Sequence, residues 1–175
     1  MTDLIERAKK IQCLICDVDG VLTDARVYMD NFGNEQKIFN LQDGMGLKLM
    51  MAAGIEVAVI TTSRSDLIDH RMKQLGISNY YKGQVEKLTA YEAMKSRLQL
   101  PDSAFAYVGD DLPDIAIIQR VGLGIAVGNA RPQVKEFASW TTELTGGNGA
   151  VREVCDFILN SQHKFDAALQ RYLSS

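Results

Sequence analysis

The run Ile11-Gln12-Cys13-Leu14-Ile15-Cys16-Asp17-Val18-Asp19-Gly20 joins an apolar, strand-like segment to two carboxylates one residue apart. An unbroken apolar stretch of this kind suits a strand buried on both faces, as in the middle of a parallel sheet. In open α/β sheets ligands sit beyond the carboxyl ends of the strands, which is where Asp17 and Asp19 fall. A solvated strand end can look the same, so the rest of the chain decides between the two readings.

Working outward, further strands are expected at Glu56–Ile60, Ala104–Val108 and Leu123–Val127, with a short one near Ser139–Thr141. Helical periodicity covers Met45–Ala53, Ser65–Leu75, Val85–Leu98, Leu112–Gln119, Pro132–Phe137 and Ala150–Ser161. This alternation predicts an α/β, Rossmann-like three-layer fold around a central parallel sheet. Gly54, Gly76 and Gly122 stand where helices should end. Ala25–Met29 and Gln36–Phe39 flank the turn-rich Asp30-Asn31-Phe32-Gly33-Asn34, which predicts a small β-hairpin inserted after strand 1, over about residues 25–39. Residues 1–175 read as a single domain with no room for a cap domain.

Apolar residues make up 46% of the 175, enough for a full core without disulfides or structural metal. The net charge of −3 is spread along the chain, and no basic stripe points to nucleic acid. No apolar run approaches membrane-spanning length and Met1–Arg7 lacks signal-peptide character, so a cytoplasmic location is expected. Cys13 and Cys16 would face opposite sides of a strand, and His70 and His163 stand alone. With Cys155 they read as buried, reduced thiols rather than a zinc site.

The polar residues gather after the strands: Thr61-Thr62-Ser63 after the second and Gly109-Asp110-Asp111, then Asp114, after the third, with Lys87 opening a helix. Phosphate monoester hydrolysis needs this set. A carboxylate attacks phosphorus, and a second carboxyl protonates the leaving alcohol and later deprotonates water. A hard divalent cation, a lysine and a hydroxyl hold the phosphoryl oxygens. Each residue also has a plainer reading. Asp110, Asp111 and Asp114 suit a helix start, Thr61 can cap a helix, Lys48, Arg71 and Lys87 can be solvated helix charges, and Gly146-Gly147-Asn148-Gly149 can be a simple turn.

Asp17-Val18-Asp19-Gly20-Val21-Leu22-Thr23, Thr61, Lys87 and Gly109-Asp110-Asp111-Leu112-Pro113-Asp114 resemble, in order and spacing, the four motifs of the haloacid dehalogenase superfamily. The resemblance implies Asp17 as nucleophile and Asp19 as general acid/base. It also implies Mg²⁺ on Asp17, Asp110 and the backbone carbonyl of Asp19, and phosphoryl binding by Thr61 and Lys87. Asp111 and Asp114 look like supporting residues outside the metal's own ligands. The hairpin, Asn40–Gly46, Gly83–Ala90 and Thr145–Glu153 resemble more narrowly the capless phosphatases of 3-deoxy-D-manno-octulosonate 8-phosphate. That likeness implies substrate contacts at Asn40, Leu41, Gln42, Asp43, Gly44, Lys48, Arg71 and Lys87. It further implies a homotetramer serving lipopolysaccharide synthesis, in which the hairpins join subunits and a neighbour's surface, including its tail (about residues 163–175), covers the site.

An exposed site binds small substrates poorly, so without a cap another subunit can close it. The tail carries Phe165, Leu169, Tyr172 and Leu173 and has no evident place in its own core. One departure stands out: the family's Thr-Gly-Arg reads Thr61-Thr62-Ser63-Arg64 here, so Arg64 becomes the candidate replacement for the missing arginine. Other readings are a nonulosonate 9-phosphate phosphatase, a catalytically idle oligomerisation module, or a response-regulator receiver. The receiver would need an acceptor Asp where Thr61 follows Ile60.

Overall fold

The computed structural model describes residues 2–173. Strand β1 (Cys13–Cys16) is buried on both faces and lies at the middle of a six-stranded sheet. Its neighbours are β4 (Glu56–Ile60) and β6 (Phe105–Gly109), each pairing in parallel, with Leu14 opposite Val57 and Ala106. The sheet is completed by β5 (Asn79–Tyr81) beside β4, then β7 (Leu123–Ala126) and β8 (Trp140–Thr141) beyond β6. Every pairing in this sheet is parallel. Chain order runs from β1 toward one edge, then returns across β1 to build the other half. The direction therefore reverses between β1 and β6, and a crevice opens beyond their carboxyl ends.

The helices complete three layers. On one side α2 (Leu41–Ala52) packs against α3 (Asp66–Leu75) and α7 (Ala150–Ser161), which also meets α1 (Thr2–Ala8). A second group joins α4 (Lys87–Leu98), α5 (Ile115–Ile118) and α6 (Pro132–Phe137). Helix α7 buries Val151, Val154, Cys155, Ile158 and Leu159, the three- and four-residue spacing of an apolar stripe. The tight α2–α7 contact depends on Gly46, where a Cβ would stand 3.1 Å from that of Cys155. The three cysteines are buried and free.

The expected α/β architecture and hairpin are found, with differences in detail, and the described residues form no cap domain. The hairpin ladder is short, β2 (Tyr28–Met29) with β3 (Glu35–Gln36). Strand β5 and helix α1 were not anticipated, because each is too short and too exposed to show a clear period. The expected helix over Leu112–Gln119 is a 3₁₀ turn at Leu112–Asp114 followed by α5. Gly76 does cap α3 in the left-handed region, at φ +79°. Gly122 does not act as a cap; a Cβ there would meet the Ser103 carbonyl oxygen at 2.5 Å, so close backbone packing requires it.

The tail also differs from expectation. Residues Phe165–Leu173 form helix α8, Ala168 is buried, Phe165 packs on the core and the Tyr172 hydroxyl meets Met45 Sδ at 3.5 Å. An amphipathic helix thus packs within the same chain, where Ala168 and Tyr172 line cavities with Met45 and Leu49 of α2. Residues 174 and 175 of the tail lie outside the described residues. No helix among the described residues is long and apolar enough to cross a membrane.

Candidate active site

Beyond Cys16 the chain adds one more link to the β1–β6 ladder, Asp17 N–H donating to the Val108 carbonyl at 3.1 Å. It then turns sharply, and the Val18 carbonyl accepts from the N–H groups of Val21, Leu22 and Thr23. The Thr23 hydroxyl closes the turn, accepting from Gly20 N–H at 3.3 Å and donating to the Val18 carbonyl at 3.4 Å. Gly20 sits at φ +96°, and a Cβ there would come within 2.1 Å of Asp110 Oδ2. The glycine thus serves both the turn and the approach of the second acidic strand end.

Asp114 is the hub of the buried network. Its Oδ2 accepts from Asp110 N–H at 2.9 Å and Asp111 N–H at 3.2 Å. Its Oδ1 accepts from Lys87 Nζ at 2.7 Å and the Tyr107 hydroxyl at 2.6 Å. Lys87, in the first turn of α4, is buried, and its ammonium also lies 2.9 Å from Asp17 Oδ1. Burial disfavours that charge, but Asp17 and Asp114 outweigh the penalty and hold the lysine protonated.

Oxygens of Asp17, Asp110 and Asp114 all lie within 4.8 Å of one another. Asp17 Oδ1 pairs with the Lys87 ammonium, and Asp110 Oδ1 has no hydrogen-bond partner; both are buried. Burial, with the Asp114 charge, pushes the Asp17 carboxyl up to about 7 against the pull of Lys87. Burial and the charges of Asp17, Asp114 and Asp111 push Asp110 up to about 8. Two desolvated oxygens and an excess of negative charge suit a hard divalent cation, and an all-oxygen donor set suits Mg²⁺. Asp111 caps the following 3₁₀ turn, and Asp114 completes the capping box.

The raised values set a pH dependence. A carboxyl whose folded pKa lies above its ordinary 3.8 binds its proton more tightly in the folded state. Its contribution to stability is complete below that ordinary value and is lost as pH rises through the folded value. The thermal midpoint of the metal-free protein should therefore fall as pH rises from about 4 toward 8. Asp110→Asn should flatten the slope and Mg²⁺ should counter it. An identical slope in Asp110→Asn would contradict this.

The cavity above the network, about 270 Å³, is bordered by Asp17, Asp19, Thr62, Lys87 and Asp110. Asp19 Oδ1 accepts from Lys37 Nζ at 2.5 Å, and Lys37 also pairs with Glu35 at 3.0 Å. Thr61 is buried, its hydroxyl accepting from Ser63 N–H at 3.1 Å, so it is Thr62 that borders the cavity. Ser63 is held in the local turn, its hydroxyl accepting from Ser65 N–H at 3.3 Å. The Arg64 stem lies over Gly83, where a Cβ would meet it at 3.2 Å, and Arg64 is not part of the cavity wall.

The expected substrate contacts fare unevenly. Asn40 caps α2, its Oδ1 accepting from Gln42 and Asp43 N–H, while its Nδ2 donates to the Gly147 carbonyl. Leu41 and Gln42 are exposed beside it. Arg71 crosses from α3 to donate to the Asn40 carbonyl at 3.2 Å and stacks over Phe39, 5.4 Å from the ring centroid. Gly44 makes room for it, since a Cβ would stand 2.5 Å from Arg71 Nη2. Asp43 corrects the expectation. It is buried and accepts from Gly149 and Arg152 N–H, so it caps α7, whose own N-cap is a glycine, and it is not part of the cavity wall. Lys48 is corrected too: two turns along α2, it lines a separate cavity against α8 with Lys164 and Tyr172.

Sequence reasoning missed Tyr107 and Lys37. A tyrosine in a fully buried strand needs a hydroxyl partner, which was a usable signal for Tyr107. Nothing in the sequence marked Lys37.

A buried lysine between carboxylates, beneath a cation-seeking acidic crevice, defines a site for handling phosphoryl groups. Residues 73–154 match the haloacid dehalogenase-like hydrolase family. The 3-deoxy-D-manno-octulosonate 8-phosphate phosphatase KdsC of Yersinia pestis is 46% identical over 166 residues, 95% of this chain and 89% of that protein. A solved haloacid dehalogenase superfamily (subfamily III A) hydrolase from Legionella pneumophila is 63% identical. It aligns with a TM-score of 0.97, covering 100% of this chain and 96% of that one. The 3-deoxy-D-manno-octulosonate 8-phosphate phosphatase of Moraxella catarrhalis, solved with magnesium ion, phosphate ion and KDO, is 42% identical with a TM-score of 0.95. That alignment covers 98% and 99% of the two chains. The chain belongs to the KdsC phosphatase family of haloacid dehalogenase-like hydrolases.

Proposed function

We propose that this chain hydrolyses 3-deoxy-D-manno-octulosonate 8-phosphate to the free sugar acid and phosphate. The observation that carries this is Lys87 Nζ, held 2.9 Å from Asp17 and 2.7 Å from Asp114 directly under the crevice. The names of the relatives supply the substrate class. Mg²⁺ on Asp17, Asp110 and the Asp19 backbone carbonyl would offset the charge that a phosphate brings to this acidic crevice.

The chain's own residues do the rest. Asp17 attacks phosphorus, forming an aspartyl-phosphate as the bond to the sugar oxygen breaks. Asp19 gives that oxygen a proton, then takes one from the water that hydrolyses the intermediate. Lys87 binds phosphoryl oxygens, and Asp111 and Asp114 fix the loop and the lysine. Thr61 binds them only by turning the proton of its buried hydroxyl past Thr62 toward the crevice. Asn40, Leu41, Gln42, Gly44 and Arg71, around the start of α2, are the proposed contacts for the sugar acid. Residues 1–175 act as one catalytic domain, in the cytoplasm, serving lipopolysaccharide precursor synthesis.

The subunits form a homotetramer, and the shape of the site supports this reading. No cap covers the cavity, while Val27, Met29, Phe32 and Ile38 of the hairpin region are exposed apolar residues. Light scattering should give a tetramer mass; a clean monomer would refute the assembly.

The test of function is phosphate release with Mg²⁺ from a panel of sugar-acid phosphates. A second reading, a nonulosonate 9-phosphate phosphatase, shares the sugar acid and terminal phosphate of the first, and Ser63, tied to its own turn, supplies no guanidinium to fix the carboxylate of either. If the nine-carbon substrate exceeded the eight-carbon one tenfold in kcat/KM, about 1.4 kcal/mol, the substrate assignment would fall.

A further inference from the structure

We propose that Lys37, on the returning arm of the hairpin, is a positioning residue that orients the proton-transferring carboxyl of Asp19. This rests on the reading of Asp19 as the general acid/base.

The lysine is placed unlike a surface lysine. Its side chain is 8% exposed, whereas its two partners, Asp19 and Glu35, are 40% and 36% exposed. The surrounding hairpin is open to solvent, Phe32 at its tip being 90% exposed. Lys37 therefore turns inward from a solvated insertion and places its ammonium 2.5 Å from Asp19 Oδ1.

Asp19 needs such a tether. It precedes a glycine in a tight turn, borders the cavity, and among the described residues only Lys37 bonds to its carboxylate. An untethered aspartate samples several side-chain rotamers. With Oδ1 engaged, Oδ2 is the oxygen left to exchange a proton with substrate. Glu35, on the same ammonium at 3.0 Å, offsets part of its charge, so the lysine acts on Asp19 chiefly as an orienting contact.

The proton balance assigns Lys37 no transfer. Oδ2–H of Asp19 protonates the sugar oxygen as its bond to phosphorus breaks and Asp17 bonds to phosphorus. In the second half, Oδ2 takes a proton from water as the water oxygen attacks phosphorus and Asp17 departs. Lys37 keeps its proton throughout both halves.

The test uses leaving groups of different need. An alkyl phosphate such as the sugar-acid phosphate requires protonation of its leaving oxygen, whereas p-nitrophenyl phosphate hardly does. Because kcat/KM reports only the steps up to leaving-group departure, the comparison isolates the acid role. In Lys37→Met, kcat/KM for the sugar-acid phosphate should fall by about 10- to 100-fold, the scale of a misplaced catalytic group. The ratio of kcat/KM for p-nitrophenyl phosphate to that for the sugar-acid phosphate should rise at least about tenfold. Lys37→Arg should recover most of the loss, which a general structural defect would not predict. Circular dichroism of both variants checks that the fold is kept. Equal losses on the two substrates, or no loss on either, would overturn the role of Lys37. Asp19→Asn serves as the reference: if it too leaves the ratio unchanged, the assignment of Asp19 falls, and the role of Lys37 with it.

Discussion

Asp17→Asn should lower phosphatase kcat/KM by at least about 10⁴-fold, equivalent to about 5.5 kcal/mol, while leaving a folded protein. The substitution is isosteric. An amide oxygen can still face Lys87, but it cannot form the acyl-phosphate that a carboxylate forms. The effect on the fold should be small or favourable at neutral pH. Burial and Asp114 already work against the ionised form of Asp17, pushing it up to about 7. The measurement is phosphate release beside a thermal melt of the metal-free protein. More than about one per cent of normal turnover would rule out Asp17 as the nucleophile, and a collapsed melt would show that it supports the fold instead.

The largest effect on stability belongs to a residue that need not touch substrate. Asp114, 1% exposed, accepts four donors: Lys87, the Tyr107 hydroxyl, and the N–H groups of Asp110 and Asp111. Asp114→Ala strands a buried ammonium with Asp17 as its remaining carboxylate, and it leaves a buried hydroxyl without its partner. Removing one member of a buried ion pair typically costs about 3–5 kcal/mol, mostly because the other charge remains desolvated. Denaturant unfolding should show a loss of that size, and turnover should fall with it as Lys87 loses its position. Asp114→Asn should recover part of the stability, since an amide oxygen can still accept from the lysine. A loss under about 1 kcal/mol in the alanine variant would mean that the network is not a structural centre.

Much of the architecture could be read from periodicity, because buried parallel strands have an unmistakable composition. Cys13–Cys16, Glu56–Ile60 and the apolar stripe of Ala150–Ser161 fall at the expected bounds. Short and half-buried pieces such as Asn79–Tyr81 could not be read, since three residues show no period and this strand owes its existence to the edge of β4. The site divides along a similar line. Asp17, Lys87 and Asp110 were legible because strand ends and motif order place them. Asp43 was misread because nothing local shows that α7 would begin against it. Thr61 and Thr62 are adjacent and chemically identical, so which of them borders the cavity depends on the backbone turn. Lys37 was invisible, since the direction of a hairpin side chain depends on how the whole insertion folds back.

The central place of β1 has a consequence for synthesis on the ribosome. Leu14 leaves the exit tunnel early, yet its pairing partners are Val57 on one side and Ala106 on the other. The strand carrying the nucleophile can pair with β4 once Val57 is made. Its other edge must wait, apolar and open, until about 92 residues after Leu14 have been made, an interval of roughly 5–20 s at ordinary elongation rates. Until β6 emerges there is no Val108 carbonyl to fix Asp17 and no Asp110 across from it. A nascent chain arrested before residue 105 should therefore be open to protease and unable to bind Mg²⁺ at this site. One arrested with the sheet complete outside the tunnel should resist cleavage.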